Sequence, residues 1–135
     1  MNKKFKGYIS SRKLINGEFE TQKIQNLVVR EACKYNSYDL QLSSAEYIMN
    51  DCYMILNSLI KNLKKYDGIV FFSLFQLPFS EKKRRTIYDK FLEKKKTILF
   101  ANEKLELRNK NDILLCENII KVTKMLKFTP KIINQ

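Results

Sequence analysis

The sequence predicts an α/β domain, a three-layer sandwich with helices on both faces of a four-stranded parallel sheet. Three observations carry that expectation. Short apolar runs alternate with longer segments of helical spacing, and such alternation implies parallel strands joined by right-handed crossovers. The run Gly68-Ile69-Val70-Phe71-Phe72 is apolar at nearly every position, which indicates a strand buried on both faces and hence the sheet centre. The 135 residues suffice for one hydrophobic core without disulfide or metal staples. One domain over 1–135 is expected, with 128–135 as a frayed tail.

Each element follows from local pattern. Phe5 to Ser10 reads as the first strand, and a polar loop through Asn16 and Gly17 leads to a helix from about Thr21. Its apolar stripe is Ile24, Leu27, Val28 and Ala32, with Gln22, Gln25, Asn26 and Arg30 off the stripe. Tyr38 to Ser43 forms the second strand. Asn50 or Asp51 is placed to cap a second helix, whose inward side carries Ile55, Leu56, Leu59, Ile60 and Leu63. Ser80 caps a third helix with Ile87, Tyr88, Phe91 and Leu92 inward. Thr97 to Ala101 is the fourth strand, and a last helix runs from about Asn111 to Lys127 with Leu115, Ile119, Val122 and Leu126 at helical spacing.

Composition removes several function classes. The chain has no histidine, so histidine-based triads and acid/base chemistry are excluded. Cys33, Cys52 and Cys116 are far apart and form no Cys-x-x-Cys pair, so no zinc site is expected, and they read as buried, reduced thiols. Gly7, Gly17 and Gly68 do not have the spacing of a dinucleotide fingerprint, and no cofactor is expected. The absence of a signal-like or spanning apolar segment predicts a cytoplasmic protein with no membrane insertion. The formal charge of +12 comes mostly from lysine. It reads as solvated helix surface, because bidentate phosphate recognition favours arginine. A nucleic-acid partner is therefore possible but disfavoured.

In parallel α/β sheets ligands bind at the carboxyl ends of the strands. That rule selects Tyr8, Ser10, Ser11 and Arg12 after the first strand, Ser43, Ser44, Glu46 and Tyr47 after the second, Ser73 and Gln76 after the third, and Asn102 and Glu103 after the fourth. Arg12 has no evident packing duty on its loop, and Arg84 or Arg85 at the next helix start is placed to reach over the same end.

The Tyr8-x-Ser10-x-Arg12 string, with the turn Ser73-Leu74-Phe75-Gln76-Leu77, resembles the catalytic domain of serine recombinases of the resolvase type, which has a flavodoxin-like sheet. Resolvases carry Tyr-x-Arg-x-Ser, so here the arginine and serine positions are exchanged. Their Asp-Arg-Leu-x-Arg turn corresponds to Phe75, Gln76, Leu77, Pro78 and Phe79. Without those arginines, recombination is not expected. A second set of strings includes Gly7-Tyr8-Ile9-Ser10-Ser11-Arg12, Gln25-Asn26-Leu27-Val28-Val29-Arg30 and Ala45-Glu46-Tyr47. With Ser73-Leu74-Phe75-Gln76-Leu77-Pro78 and Arg84-Arg85-x-x-Tyr88, it resembles the sporadic carbohydrate cluster proteins, small bacterial proteins encoded beside surface-polysaccharide genes.

That resemblance implies a role in carbohydrate biosynthesis, with a sugar phosphate or nucleotide sugar as ligand. Arg12 with Arg84 or Arg85 would hold an anionic group; Tyr8, Ser10, Ser11, Asn26, Arg30, Tyr47, Ser73 and Gln76 complete the expected binding set, and Glu46 is the candidate base. The alternatives are a catalytically degenerate, resolvase-like nucleic-acid-binding domain, or a non-catalytic partner of a larger enzyme that docks through an apolar stripe on the last helix. Homo-oligomerisation is left open.

Overall fold

The structure, a computed structural model, describes residues 2–49 and 51–126. Five strands form one sheet: β1 (Lys4–Ile9), β2 (Asp39–Ala45), β3 (Gly68–Phe71), β4 (Thr97–Phe100) and β5 (Leu105–Leu107). Their order is β2-β1-β3-β4-β5. The first four are parallel, as expected, and β5 runs antiparallel to β4. The fourfold parallel expectation is therefore corrected to a mixed sheet of five. The added strand is three residues long, too short for a period to be read, and it follows a tight turn in which Lys104 has a φ of 56°.

The helices are α1 (Gln22–Tyr35), α2 (Met54–Lys61), α3 (Glu81–Glu93) and α4 (Lys110–Leu126), with short 3-10 turns at Leu63–Lys65 and Leu74–Gln76. Passing from β1 to β2 crosses the sheet in the opposite direction from passing β2 to β3 and β3 to β4. Right-handed crossovers then put α1 on one face and α2 and α3 on the other, which gives the three layers. None of the described helices is long and apolar enough to cross a membrane. The expected tail at 128–135 and the end of the last helix at Lys127 lie outside the described residues.

β3 is buried at every position and is the middle strand. Its Gly68 has a steric reason: a Cβ there would meet the Thr97 carbonyl at 2.2 Å and the Phe5 ring at 2.6 Å. The Phe5 ring in turn stacks on Tyr38, with centroids 4.0 Å apart. On the α2 and α3 side, Tyr8, Phe71 and Phe100 pack as a tilted row under the helices.

Two helices turn a face rotated from the expected one to the core, and of the expected stripes Val28, Ala32 and Ile119 pack there half-buried. α1 buries Gln25, Val29 and Cys33, while Ile24 and Leu27 are 43% and 54% exposed. α4 buries Ile113, Cys116, Glu117 and Ile120, and leaves Leu115, Val122 and Leu126 exposed. In both, a stripe containing a buried polar residue wins because that residue is satisfied by partners distant in sequence. Helix starts divide similarly. Ser80 caps α3, accepting from the Lys83 amide, as expected. Asp51 does not cap α2; Tyr53 takes the cap position without a side-chain bond, and Asn50 lies outside the described residues. The acceptor for that helix start comes from Glu46.

Candidate functional site

The carboxyl end of the sheet brings most of the expected residues together, and it engages them with one another. Two connected networks result. In the first, the Tyr8 hydroxyl donates to Glu46 Oε1 at 2.8 Å. Glu46 also accepts from the backbone amides of Tyr47, Ile55 and Leu56 at 3.2, 2.9 and 3.1 Å. The carboxylate is 4% exposed and sits at the amino end of α2, where a helix favours negative charge. Its oxygens thus serve four donors, and Glu46, the expected base, is the cap that α2 lacks locally. Burial first, and the adjacent carboxylate second, push the Tyr8 hydroxyl far above its ordinary pKa, so it remains a neutral donor.

Arg12 belongs to the same network. Its guanidinium donates to the Cys52 carbonyl, approaches the Tyr8 hydroxyl at 3.4 Å and stacks 4.2 Å above the Tyr53 ring. The loop arginine expected to be free of structural duty therefore ties the first strand's loop to the segment before α2.

The second network is centred on Ser10. Gln25 reaches from α1 to bond both the amide and the carbonyl of Ser10. The Ser10 hydroxyl oxygen accepts from Gln76 at 3.2 Å, and Gln76 also donates to Gln25 Oε1 at 3.1 Å. Ser73 donates to Glu103 at 2.7 Å and caps its own 3-10 turn through the Phe75 amide. Glu103 holds the same turn through the Leu74 amide at 2.7 Å. Ser10, Gln25, Ser73 and Gln76 are all at most 3% exposed, and among the described residues no buried side-chain nitrogen or oxygen lacks a partner. The Ser11 hydroxyl, nearer solvent, accepts from Gln22 at 2.6 Å.

The remaining expected residues do not join these networks. Arg84 is buried: its Nε and Nη2 grip both oxygens of Glu117 at 2.9 and 2.8 Å, and Nη1 donates to the Pro78 and Phe79 carbonyls. Tyr88 completes that cluster, donating to Glu117 at 2.6 Å. Arg85 is exposed and pairs with Glu81 one turn before it. Asn26 is half-buried, Arg30 lies exposed further along α1, and Tyr47 is half exposed.

Sequence reading missed Gln25 and Glu117, because each lies on the less apolar of two helical stripes. The signal available was that Gln25, Val29 and Cys33 recur every four residues, as do Ile113, Glu117 and, one position earlier, Cys116. Burial pushes the Cys33 and Cys116 thiols up to about 11 and about 12, in keeping with inert core cysteines.

A separate open groove of about 580 Å³ lies between α1 and the β4–β5 edge. Leu99 and Ala101 are among the residues lining it, with Glu31, Asn102, Lys104 and Glu106 as polar members. Glu106 accepts from Tyr38 at 2.6 Å and pairs with Arg108.

No family model matches this sequence, and no curated protein matches it. The resemblance to sporadic carbohydrate cluster proteins therefore has no family match behind it. Solved structures do match. The chain is similar to a resolvase family site-specific recombinase from Streptococcus pneumoniae, with a TM-score of 0.64 at 11% identity over 96% of this chain and 95% of that one. It is also similar to the N-terminal catalytic domain of TP901-1 integrase, with a TM-score of 0.60 at 16% identity over 90% and 96% of the two chains. The chain therefore has the fold of a serine-recombinase catalytic domain.

Proposed function

We propose that this is a catalytically inert domain of the resolvase fold that binds the backbone of nucleic acid. The observation that carries the reading is the closed carboxyl end of the sheet, where Ser10 is 1% exposed and accepts from Gln76. Phosphodiester transfer needs an accessible nucleophile and cations converging on the developing charge. Here Arg12 is spent on the Cys52 carbonyl and the Tyr53 ring, and Arg84 on Glu117. What the surface retains is a formal charge of +12, which attracts a polyanion without reading bases.

The test pairs two assays on the full chain. Fluorescence anisotropy with a labelled duplex should show binding at low salt, and denaturing gels should show neither strand cleavage nor a covalent protein–DNA adduct. An adduct would overturn the inert reading, and absence of binding would overturn the nucleic-acid reading.

A sugar or nucleotide-sugar ligand is a second reading, and its support lies in the groove beside α1. Its volume of about 580 Å³ falls in the range of small-molecule sites, roughly 300–1,000 Å³. Glu31, Asn102 and Lys104 give it hydroxyl- and phosphate-binding groups. A ligand seated there would raise the melting temperature by mass action in a sugar-phosphate panel, and Ala101→Leu would abolish the rise. The nucleic-acid reading expects no rise in either protein.

A further inference from the structure

We infer that the nucleic-acid contact surface is the amino-terminal end of the sheet, made by the lysines that lead into β1, β3 and β4. This rests on the nucleic-acid reading above and adds where the contact lies: at the end opposite the one where ligands bind in sheets of this kind.

The three approaches form one surface. The Lys4 amide donates to the Asp67 carboxylate at 2.7 Å, and the Asp67 amide returns a bond to the Lys4 carbonyl at 2.8 Å. The Thr97 amide then donates to the Asp67 carbonyl at 3.2 Å, and Lys94 Nζ reaches the Ile60 carbonyl at 3.2 Å. These bonds bring Lys3, Lys4, Lys64, Lys65, Lys94 and Lys95 to the same end, all exposed. Among the described residues the ion pairs are Arg84–Glu117, Arg85–Glu81 and Arg108–Glu106, so none of these lysines has a carboxylate partner.

Helix ends account for only part of the charge. A cation in the last turn offsets the helix dipole, and Lys34, Lys61 and Lys90 already stand in the last turns of α1, α2 and α3. Lys94 is the cap of α3 and Lys64 and Lys65 stand in the last turn of the 3-10 helix after α2, whereas Lys3 and Lys4, at the start of β1, close no helix. This end carries the acids Asp39, Asp67 and Glu93 beside its lysines, whereas Glu18, Glu20, Asp51, Glu81 and Glu103 stand in the loops and first helical turns of the opposite end. Strands about 4.8 Å apart make the β1–β3–β4 front about 10 Å wide. A duplex presents about six phosphate charges over that length. Flexible ammonium groups suit that backbone as point charges, positioning the protein without specifying sequence.

Two variants of equal charge test the placement, each in the full chain. One is Lys3→Gln, Lys64→Gln, Lys65→Gln and Lys95→Gln at the amino end. The other is Lys13→Gln, Lys23→Gln, Lys82→Gln and Lys83→Gln at the carboxyl end. All eight side chains are exposed, so both variants should melt like the parent. Anisotropy with a labelled duplex should show the first variant losing about tenfold or more in affinity and about 3 to 4 in the slope of log K against log salt, with the second near the parent. Equal losses in the two, or a greater loss in the second, would overturn the inference and leave the nucleic-acid reading standing. A parent that ignores the duplex would sink that reading itself. Binding to vesicles containing phosphatidylserine, with none to the duplex, would overturn both in favour of a membrane surface.

Discussion

Glu46 accepts from the Tyr8 hydroxyl and from three backbone amides, two of them at the start of α2. Truncation to alanine leaves the buried O–H donor of Tyr8 without an acceptor, about 1–3 kcal/mol, and removes a helix cap, about 0.5–2 kcal/mol. Urea unfolding of Glu46→Ala should show a loss of about 3 kcal/mol, and a loss below about 1 kcal/mol would mean the carboxylate is not the cap of α2. The Arg84–Glu117 pair is more deeply placed, with side chains 4% and 9% exposed. Removing one partner strands the other, so Arg84→Ala should cost about 3–5 kcal/mol, whereas replacing both by apolar residues should cost much less. The pair also has a pH signature. Burial raises the Glu117 carboxyl, but the hydrogen bonds from Arg84 and Tyr88 and the guanidinium charge outweigh it and hold it below its ordinary value. A folded value below the unfolded one, about 4.3, means the stabilisation is present above that pH and is lost as pH falls through the folded value. Glu117→Gln should therefore flatten the acid limb of the stability profile relative to the parent, and an unchanged limb would contradict the assignment.

At the scale of elements, α1 carries two stripes at helical spacing, and the structure buries the less apolar one. Val29→Ala should cost about 2 kcal/mol, while Ile24→Ser and Leu27→Ser should each change stability by less than about 0.5 kcal/mol in thermal unfolding. The reverse order would restore the stripe expected from sequence. The choice was not legible locally, because Gln25 is tolerated inside only through bonds to Ser10, 15 residues back, and Gln76, 51 residues on. What was legible had a local cause. β3 is apolar on both faces; α2 and α3 have one apolar stripe each, Leu56, Leu59 and Ile60 in one and Ile87, Tyr88 and Phe91 in the other; and Ser80 caps from within its own turn. The strand-end rule names polar residues that do lie together, Glu46 and Glu103 among them, but not their bonds: Glu46 holds the start of α2 and Glu103 the Ser73 turn, pairings that only the fold makes. β5, at three residues, was too short to declare itself.

For the whole molecule, the fold and the charge point the same way. The sheet has a resolvase-type fold, its carboxyl end is packed shut around Ser10, and among the described residues lysines without carboxylate partners lie at the other end. Twenty-six basic residues against fourteen acidic ones repel one another, so a bound polyanion relieves the free protein's own field. Counterions released from that polyanion on binding give the sharpest readout of the account. Affinity of the full chain for a labelled duplex, followed from about 50 to 200 mM salt, should fall several hundredfold, a slope of about −4 to −5 for about five phosphates contacted. An affinity that holds steady across that range, or no complex at its low end, would contradict the account.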